Sequence, residues 1–303
     1  NPATDEKRET GYDAGKSNRG HASQMGGVLP KPLVGLVGKV KLMKYRLSLI
    51  NLLLVALLLM GILLAGIVTV QGQNTVCNWY CKRAANHAQP TLDPNFSFIQ
   101  NYGGYYILPN TTEKVVFLTF DAGYENGNVE KILDTLKAES VPGAFFLLSH
   151  FVSANTALVK RMFAEGHTVC NHTATHKDYS CADEAALRAD LEKLEALCLE
   201  KTGSGMSHYF RPPEGRFSEQ MMKSLHHLGY KTIFWSFAYA DWDNQRQPDA
   251  NSAKKKILDN IHPGAVLLLH PTSSVNAQIL GDVIRQLKAE GYRFGTLDEL
   301  TAS

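Results

Sequence analysis

Two histidines four positions apart are the first residues in this chain whose types and spacing suggest chemistry. His172 and His176 lie in the segment NHTATH (171–176), which follows a short β-branched run. If this segment forms a turn or a helix, both imidazole nitrogens can reach one divalent cation. Histidines at this spacing also occur in ordinary surface and capping roles, so the pair alone is a weak indication of a metal site.

Asp121 and His270 each end a strongly apolar run, and both side chains can transfer protons. Asp121 follows VVFLTF, and His270 follows AVLLL. Near a metal-bound water, Asp121 would act as a general base. His270 would protonate a leaving amine if a carboxylate such as Asp241 kept its ring charged. A cap or turn role for Asp121 and a core position for His270 are the purely structural alternatives.

The segment RPPEG, which begins at Arg211, and the dipeptide Asp241-Trp242 offer partners for these groups. Two prolines fix φ and the final glycine frees the turn, so the segment forms a rigid loop. Arg211 would keep Asp121 ionised, and a backbone N–H near Glu214 would stabilise an oxyanion. Asp241 would orient His270 and Trp242 would wall the pocket. A structural bend and a plain core tryptophan are the alternatives.

From residue 114 onward, short β-branched and aromatic runs alternate with longer amphipathic stretches. This alternation predicts an α/β fold, a distorted (β/α) barrel or parallel sheet of about seven parallel strands. The expected strands are 115–120, 144–148, 167–171, 208–211, 232–235, 265–270 and 293–296. The expected helices are 128–138, 154–165, 182–201, 219–228, 252–260 and 276–290. Such folds carry their sites at the carboxyl ends of the strands, where the candidate residues fall.

A long uncharged run near the N-terminus divides the chain. Residues 47–70, LSLINLLLVALLLMGILLAGIVTV, are enough to cross a hydrocarbon core of about 30 Å. The run is longer than the core of a signal peptide and has no polar face, so we expect one transmembrane helix rather than a cleaved signal or a buried helix. Basic residues cluster before the run, which places the N-terminus inside and the remainder outside the cytoplasm.

This division predicts four regions: a disordered cytoplasmic tail (1–46), a transmembrane anchor (47–70), an extracytoplasmic stalk (71–110) and the domain with the candidate site residues (111–303). The 303 residues, 44% of them hydrophobic, suffice for one domain with an appendage. A formal net charge of +2 produces no strong electrostatic attraction for nucleic acid, so we expect no nucleic-acid partner. Cys170 and Cys181 are either a disulfide pair or small buried side chains.

Taken in order, these clusters resemble the five motifs of the polysaccharide deacetylases of carbohydrate esterase family 4, the NodB-homology domain. The resemblance covers residues 114–300, and the ordered set is far more specific than any single motif. It implies a metal-assisted hydrolase that removes N-acetyl groups from a glycan. The residues it assigns are Asp121 as the base, Arg211 as its partner, His270 as the acid, Asp241 as the partner of His270, and His172 and His176 as metal ligands.

Within this family, the segments FDAGYENG (120–127), RPPEG (211–215), FWS (234–236) and LLLHP (267–271) most resemble the delta-lactam-biosynthetic de-N-acetylases. Those enzymes remove the acetyl group of N-acetylmuramic acid in spore-cortex peptidoglycan, after which the amine can cyclise into a lactam. The resemblance implies that the partner is a peptidoglycan glycan strand whose muramic residue lacks its peptide stem. The expected substrate contacts are Tyr124, Glu214, Trp242 and Leu268.

Two positions depart from the family pattern. Ala122 stands where the family has an aspartate as third metal ligand, so we expect a zinc, manganese or cobalt ion to bind weakly unless Glu125 or Asn126 substitutes. Glu214 replaces the usual aromatic residue, which would change substrate contacts but not the backbone donor. Two other functions stay open: deacetylation of N-acetylglucosamine or another polysaccharide, and a catalytically silent, membrane-tethered glycan-binding module.

Overall fold

The computed structural model describes residues 32–73 and 75–302, and it divides near residue 64 into two units. The described residues of the first unit belong to the helix α1, Pro32–Gln73, which continues past the division. Within α1, the 27 residues Gly38–Leu64 are long and apolar enough to cross a membrane. They agree with the expected apolar helix. The helix begins before residue 47, however, so residues 32–46 are helical where a disordered tail was expected.

The early start of α1 has a simple physical reason. Lysine and arginine have high helix propensity, and a helix propagates easily from an apolar segment that is already helical. Lys39, Lys41, Lys44 and Arg46 therefore extend the apolar helix toward the N-terminus. Residues 1–31 of the expected tail lie outside the described residues.

The second unit contains a sheet of eight parallel strands. The strands of this unit are β1 (Cys77–Asn78), β2 (Gly104–Tyr105), β3 (Val115–Ala122), β4 (Ala144–Leu147), β5 (Thr168–Asn171), β6 (Ser207–Phe210), β7 (Arg216–Phe217), β8 (Lys231–Ile233), β9 (Ala265–Leu269) and β10 (Arg293–Phe294). The strand order of the parallel sheet is β2-β8-β6-β5-β4-β3, and both β9 and β10 also pair with β3. All seven expected strands are present, together with β2. A separate antiparallel pair joins β1 to β7.

Helices follow most strands, as expected for βα repeats. The expected helix at 154–165 corresponds to α4 (Thr156–Ala164) and is preceded by a short helix, α3 (Ser149–Ala154), from which Asn155 separates it. The helices are α2 (Val129–Ala138), α3 (Ser149–Ala154), α4 (Thr156–Ala164), α5 (Glu184–Thr202), α6 (Glu219–His227), α7 (Ala250–Leu258), α8 (Ser274–Ala289) and α9 (Leu297–Thr301). Side-chain caps from Asp183, Ser218, Asp249, Ser273 and Thr296 fix the starts of α5 to α9.

Both faces of the sheet are buried, as a parallel sheet covered by helices requires. Along β3, Val116, Leu118 and Phe120 belong to the large apolar cluster that includes residues of α2 and α8. Val115 and Phe117 belong to a second cluster on the opposite face. Because strand side chains alternate, Thr119 and Asp121 continue this second face toward the carboxyl end of β3.

Residues 75–110 differ from the expected stalk, because they pack into the domain. Trp79, Phe96 and Ile99 are buried in a third apolar cluster. β1 pairs with β7 and β2 extends the main sheet beside β8. The 3-10 helix Pro94–Tyr102 completes the segment. Strands of two residues and a 3-10 helix leave no helical or alternating period in the sequence, which is why these residues resembled a linker.

The sheet curls on itself beyond β8. Ser236 and Phe237 donate backbone hydrogen bonds to Val266 in β9, at 3.0 and 3.2 Å, and Leu268 donates to Phe237 at 2.9 Å. These bonds bring the segment after β8 beside β9, so the carboxyl ends of the strands share one rim. Within the described chain all five cysteines are free thiols, so Cys170 and Cys181 form no disulfide; Cys170 is buried and Cys181 exposed.

Candidate active site

A cavity of about 680 Å³ opens at the carboxyl ends of the strands. Eight of the ten expected site residues line it, namely Asp121, Tyr124, His172, His176, Glu214, Trp242, Leu268 and His270. The other two, Arg211 and Asp241, are fully buried directly behind Asp121 and His270. The carboxylate and the three histidines expected to act together therefore face a single cavity.

Arg211 holds Asp121 from behind the cavity. Its Nη1 donates to Asp121 Oδ1 at 2.8 Å, and its Nη2 donates to Thr119 Oγ1 at 2.8 Å. Its Nε donates to the carbonyl of Ile233 at 2.9 Å, and the guanidinium lies 4.2 Å from the centre of the Phe146 ring. Burial alone would raise the pKa of Asp121, but the positive charge of Arg211 keeps that pKa below its ordinary value. The carboxylate is therefore ionised at neutral pH.

Asp241 holds His270 in the same way with the charges reversed. Its Oδ1 accepts from His270 Nδ1–H at 2.7 Å, and its Oδ2 accepts from the backbone N–H of His270 at 2.8 Å. Asn276 Nδ2 donates to Oδ2 at 2.6 Å. Burial alone would lower the pKa of His270, but the hydrogen bond and charge of Asp241 raise it above its ordinary value. The ring is thus favoured in its protonated form, with Nε2 as the nitrogen left for a substrate.

His172 and His176 lie in the turn after β5, with ring centres 5.1 Å apart. His172 Nδ1 lies 2.8 Å from the carbonyl oxygen of Arg211, which can only accept, so Nδ1 carries the proton. Its Nε2 lies 3.6 Å from Asp121 Oδ2. Burial lowers the pKa of His172 to about 4, so the ring is neutral and Nε2 presents a lone pair.

The turn that carries the two histidines is held in an uncommon backbone conformation. Thr173 and His176 have φ values of 70° and 61°, a region that residues other than glycine seldom adopt. Asn171 Oδ1 accepts from the N–H of Thr173 at 2.9 Å. The buried Asp190 of α5 accepts from the N–H of Ala174 at 2.8 Å. These bonds fix the turn and with it the direction of both imidazoles.

The donors present fit a divalent ion held by two imidazoles. A neutral histidine whose Nδ1–H is anchored on a backbone carbonyl is the usual state of a histidine that ligates a metal through Nε2. In the part of the chain that the structure describes, no three histidine, cysteine or acidic side chains form a metal site. Ala122 is buried in the apolar cluster of Phe120, and neither Glu125 nor Asn126 lines the cavity. Glu125 and Asn126, the expected substitutes for the third ligand, therefore do not face the cavity with His172 and His176.

Polar and aromatic side chains form the rim of the cavity. Trp242 is 61% exposed, and its ring meets that of His270 edge-on at 6.3 Å between centres. Tyr124 is also exposed, and its hydroxyl accepts from Asn244 Nδ2 at 2.6 Å. Glu214 is exposed and has a φ of 55°. Exposed aromatic rings beside acceptors suit a carbohydrate, whose faces are apolar and whose edges carry hydroxyls.

Several residues that support the site were missed by sequence reasoning. Thr119 contacts Arg211, Asn276 contacts Asp241, and Asp190 fixes the histidine turn. Gln247 donates to the carbonyl of Asp241 at 2.9 Å and accepts from Ser273. Apart from the bond between Gln247 and Asp241, which lie in one loop, each contact joins residues that are distant in the sequence, so no local pattern reveals it. Thr119 alone carried a signal, as a polar residue two positions before Asp121 on the same face of a buried strand.

Comparison with known proteins agrees with this geometry. The family described as polysaccharide deacetylase matches residues 109–233. The chain is 41% identical over 228 residues to the peptidoglycan-N-acetylmuramic acid deacetylase PdaA of Bacillus subtilis, covering 75% of this chain and 86% of PdaA. It is 32% identical over 209 residues to a peptidoglycan-N-acetylglucosamine deacetylase of Bacillus cereus, covering 68% of this chain and 74% of that protein. The solved structure of Bacillus subtilis PdaA, a family 4 carbohydrate esterase, matches with a TM-score of 0.72 and 40% identity over 75% of this chain and 97% of that one. The chain belongs to the polysaccharide deacetylase family.

Proposed function

We propose that the protein is a peptidoglycan N-deacetylase that hydrolyses the acetamide of N-acetylmuramic acid. One observation carries the reaction type: Asp121 and His270, each held by its own buried partner of opposite charge, face the same cavity. The pKa of Asp121 lies below its ordinary value and the pKa of His270 above it, which are the directions that a general base and a general acid need. The similarity to PdaA supports N-acetylmuramic acid as the sugar.

The proposed reaction is the addition of water to the amide carbonyl, followed by cleavage of the C–N bond. Asp121 takes a proton from the attacking water as its oxygen bonds to the acetyl carbon. The resulting oxyanion lies near the backbone N–H beside Glu214, which stabilises its charge. His270 then donates its Nε2 proton to the sugar nitrogen as the C–N bond breaks. The products are a free amine and acetic acid, which ionises to acetate. Asp121 then releases its proton to solvent and His270 takes one up, which restores both groups.

A divalent ion would be held by His172 and His176. When bound, such an ion polarises the acetyl oxygen and lowers the pKa of a coordinated water. The neutral ring of His172 is prepared for this role by its bond to the carbonyl of Arg211. Because the chain supplies two imidazoles and Ala122 in place of a third ligand, we expect weaker binding than at a site with three protein ligands.

Four segments of the sequence resemble those of the delta-lactam-biosynthetic de-N-acetylases, namely 120–127, 211–215, 234–236 and 267–271. This resemblance supports a place for the reaction on the route to muramic δ-lactam in spore cortex. The free amine on muramic acid can attack the lactyl carboxyl group of the same sugar, and the lactam ring closes with loss of water. The substrate is then a muramic residue without its peptide stem. The Bacillus cereus relative is named for N-acetylglucosamine, so that sugar is the second candidate.

We propose that the enzyme works outside the cytoplasm while attached to the membrane through residues 47–70. Gly38–Leu64 has the length and composition of a membrane-spanning helix. Lys39, Lys41, Lys44 and Arg46 precede its most apolar part, which favours a cytoplasmic N-terminus. Peptidoglycan lies on the opposite side, where the domain at 111–303 would meet it.

Digestion of purified peptidoglycan after treatment with the full-length protein tests activity and substrate together. Released acetate is measured first, and mass spectrometry of the muropeptides then shows which sugar has lost an acetyl group. We expect loss from muramic acid without a stem and no release by Asp121→Asn. Loss from glucosamine instead would change the substrate, and binding without any acetate release would favour a silent glycan-binding module.

A further inference from the structure

The segment Cys77–Arg83, which we call the strap, crosses the outside of the cavity wall. It lies shortly after α1 in the chain and before residues 109–233, the part that matches the family. Its first two residues form β1, which pairs with Arg216 and Phe217 of β7. No expected site residue lies in it, and its sequence showed neither a period nor a motif. Three of its hydrogen bonds nevertheless end on residues that line the cavity.

Trp79 makes two of these hydrogen bonds. Its backbone N–H donates to the carbonyl of Gly215 at 2.8 Å, and its indole Nε1–H donates to the carbonyl of Trp235 at 2.9 Å. Gly215 and Trp235 both line the cavity. The indole itself is buried and stacks on Phe234, with ring centres 4.3 Å apart. Trp79 therefore ties the RPPEG loop and the end of β8 to one rigid side chain.

The close fit around Gly215 shows how little freedom this contact leaves. A Cβ atom at Gly215 would lie 2.9 Å from the Trp235 ring and 3.0 Å from Cβ of Trp79. Glu214, the preceding residue, is held at a positive φ of 55°. Strained backbone persists only where its surroundings fix it, and the bond from Trp79 to Gly215 is part of those surroundings. The loop that presents Glu214 to the cavity is thus set partly from the strap.

Arg83 makes the third contact. Its Nη2 donates to the carbonyl of Ala238 at 2.8 Å, and its guanidinium lies 4.9 Å from the centre of the Phe237 ring. Ala238 lines the cavity and stands three positions before Asp241 in the segment that follows β8. A hydrogen bond from a charged donor is among the stronger ones in proteins. Arg83 is exposed, so its contribution to the folded core is small.

We propose that the strap positions the substrate-binding wall of the cavity, with Trp79 and Arg83 as positioning residues. The wall consists of Gly215, Trp235 and Ala238. The acid and base have their own buried partners, so loss of a strap contact displaces the wall and leaves Asp121 and His270 in place. This inference rests on the deacetylase function proposed above. It predicts weaker substrate binding with a nearly unchanged chemical step.

The test compares kinetics of full-length variants in detergent on stem-free glycan oligosaccharides from peptidoglycan, with acetate release as the readout. Arg83→Ala should raise KM about tenfold, the effect of losing one hydrogen bond from a charged donor, with kcat within about twofold of wild type. Arg83→Lys keeps a cation near Phe237 and Ala238 and should recover part of the increase. Arg188→Ala removes an exposed arginine paired with Glu184 and should match wild type. An unchanged KM for Arg83→Ala, or a fall of kcat and melting temperature alone, overturns the proposal.

Trp79→Phe is a second test of the strap, at the hydrogen bond from Trp79 to the carbonyl of Trp235. Phenylalanine keeps a ring against Phe234 and removes the N–H that reaches Trp235, so KM should again rise while kcat changes little.

Tryptophan fluorescence separates failure of this inference from failure of the proposed function. The three tryptophans of the chain are Trp79, Trp235 and Trp242, and two of them line the cavity. If the wild-type protein releases no acetate, the proposed function fails, but Arg83→Ala must still alter the tryptophan emission. Unchanged tryptophan emission would overturn the proposed positioning role of the strap, whatever the activity of the protein.

Discussion

Replacing Asp241 by asparagine tests whether a buried charge keeps His270 in its acid form. Asp241 has no exposed surface and accepts three hydrogen bonds. Its Oδ1 accepts one from the His270 ring, and its Oδ2 accepts two, from the backbone N–H of His270 and from Asn276. The substitution keeps the shape of the side chain and removes its charge. It therefore separates the electrostatic role of Asp241 from its role in packing.

Asparagine cannot reproduce this pattern, because one of its two terminal groups is a donor. If its NH₂ group faces the His270 ring, Nδ1 must accept, which favours the neutral ring. If the NH₂ group faces the other side, it meets the N–H groups of His270 and Asn276. In both cases the pKa of His270 falls, because burial of the ring is no longer opposed by the Asp241 charge. With general acid catalysis worth about 10²- to 10⁴-fold, kcat at neutral pH should fall at least about 10²-fold.

The assay is the pH dependence of kcat for acetate release, with Asp243→Asn as the control. Asp243 lies on the same loop, but its carboxylate is exposed, accepts a hydrogen bond from the nearby Gln245 N–H and lies 4.0 Å from Arg246 Nε. In Asp241→Asn the alkaline limb of the profile should move to lower pH, whereas Asp243→Asn should follow wild type. An unchanged alkaline limb with kcat within a few-fold of wild type would refute the assignment of His270 as an acid maintained by Asp241.

The pairing of His270 with Asp241 also predicts how the free energy of unfolding depends on pH. The folded-state pKa of His270 is raised, so its pairing with Asp241 stabilises the fold fully below the ordinary histidine pKa, and this contribution is lost as pH rises through the folded-state value. The difference in unfolding free energy between wild type and Asp241→Asn should therefore be larger in mildly acid than in alkaline solution. Urea titrations at several pH values measure it, and an equal difference at every pH would contradict the raised pKa.

The other groups of the site give three further predictions. Asp121→Asn should abolish acetate release in a protein that still folds, with a lower melting temperature because the buried Arg211 loses its charged partner; substantial remaining activity would argue against Asp121 as the base. Arg211→Leu should lower the unfolding free energy by about 3–5 kcal/mol in urea titrations, because it leaves the carboxylate of Asp121 buried and unpaired; a loss below 1 kcal/mol would contradict that pairing. A chelator should slow acetate release, and added zinc, manganese or cobalt should restore it; turnover unaffected by the chelator would reject metal assistance.

The sequence was a good guide where local pattern and tertiary structure agree. Buried parallel strands are continuous apolar runs, so β3 and β9 were placed to within two residues of their observed ends. The same rule failed before residue 110. There, Trp79 and Ile99 are core residues separated by turns and a 3-10 helix, and their burial depends on partners such as Phe217 and Phe234, far along the chain. A contact across so many residues has no local signature.

The same distinction holds for the site residues: those marked by a local pattern were predicted, and those whose role depends on contacts between distant residues were not. Asp121, His172, Arg211 and His270 could be found because each stands at or directly after the carboxyl end of a strand, and parallel strands end at one edge. The residues that orient them could not, because Asn276 resembles any polar residue in the first turn of a helix. Its importance comes from its bonds to Asp241 and to the carbonyl of His270, both made only in the fold.

Two buried charge pairs in one site bear on whether the domain is an enzyme or a silent binder. Moving an ion pair out of water costs several kcal/mol, and apolar residues of similar size often stabilise a protein as well or better. The pairs Asp121–Arg211 and His270–Asp241 are therefore poor devices for folding alone. Binding a sugar without reacting with it needs hydrogen-bonding groups and aromatic surfaces, which the rim already offers through Tyr124 and Trp242. A carboxyl group whose pKa is lowered and an imidazole whose pKa is raised, facing one cavity, are needed when one group must take a proton and the other must give one. This requirement favours hydrolysis over binding, with or without a strongly held metal.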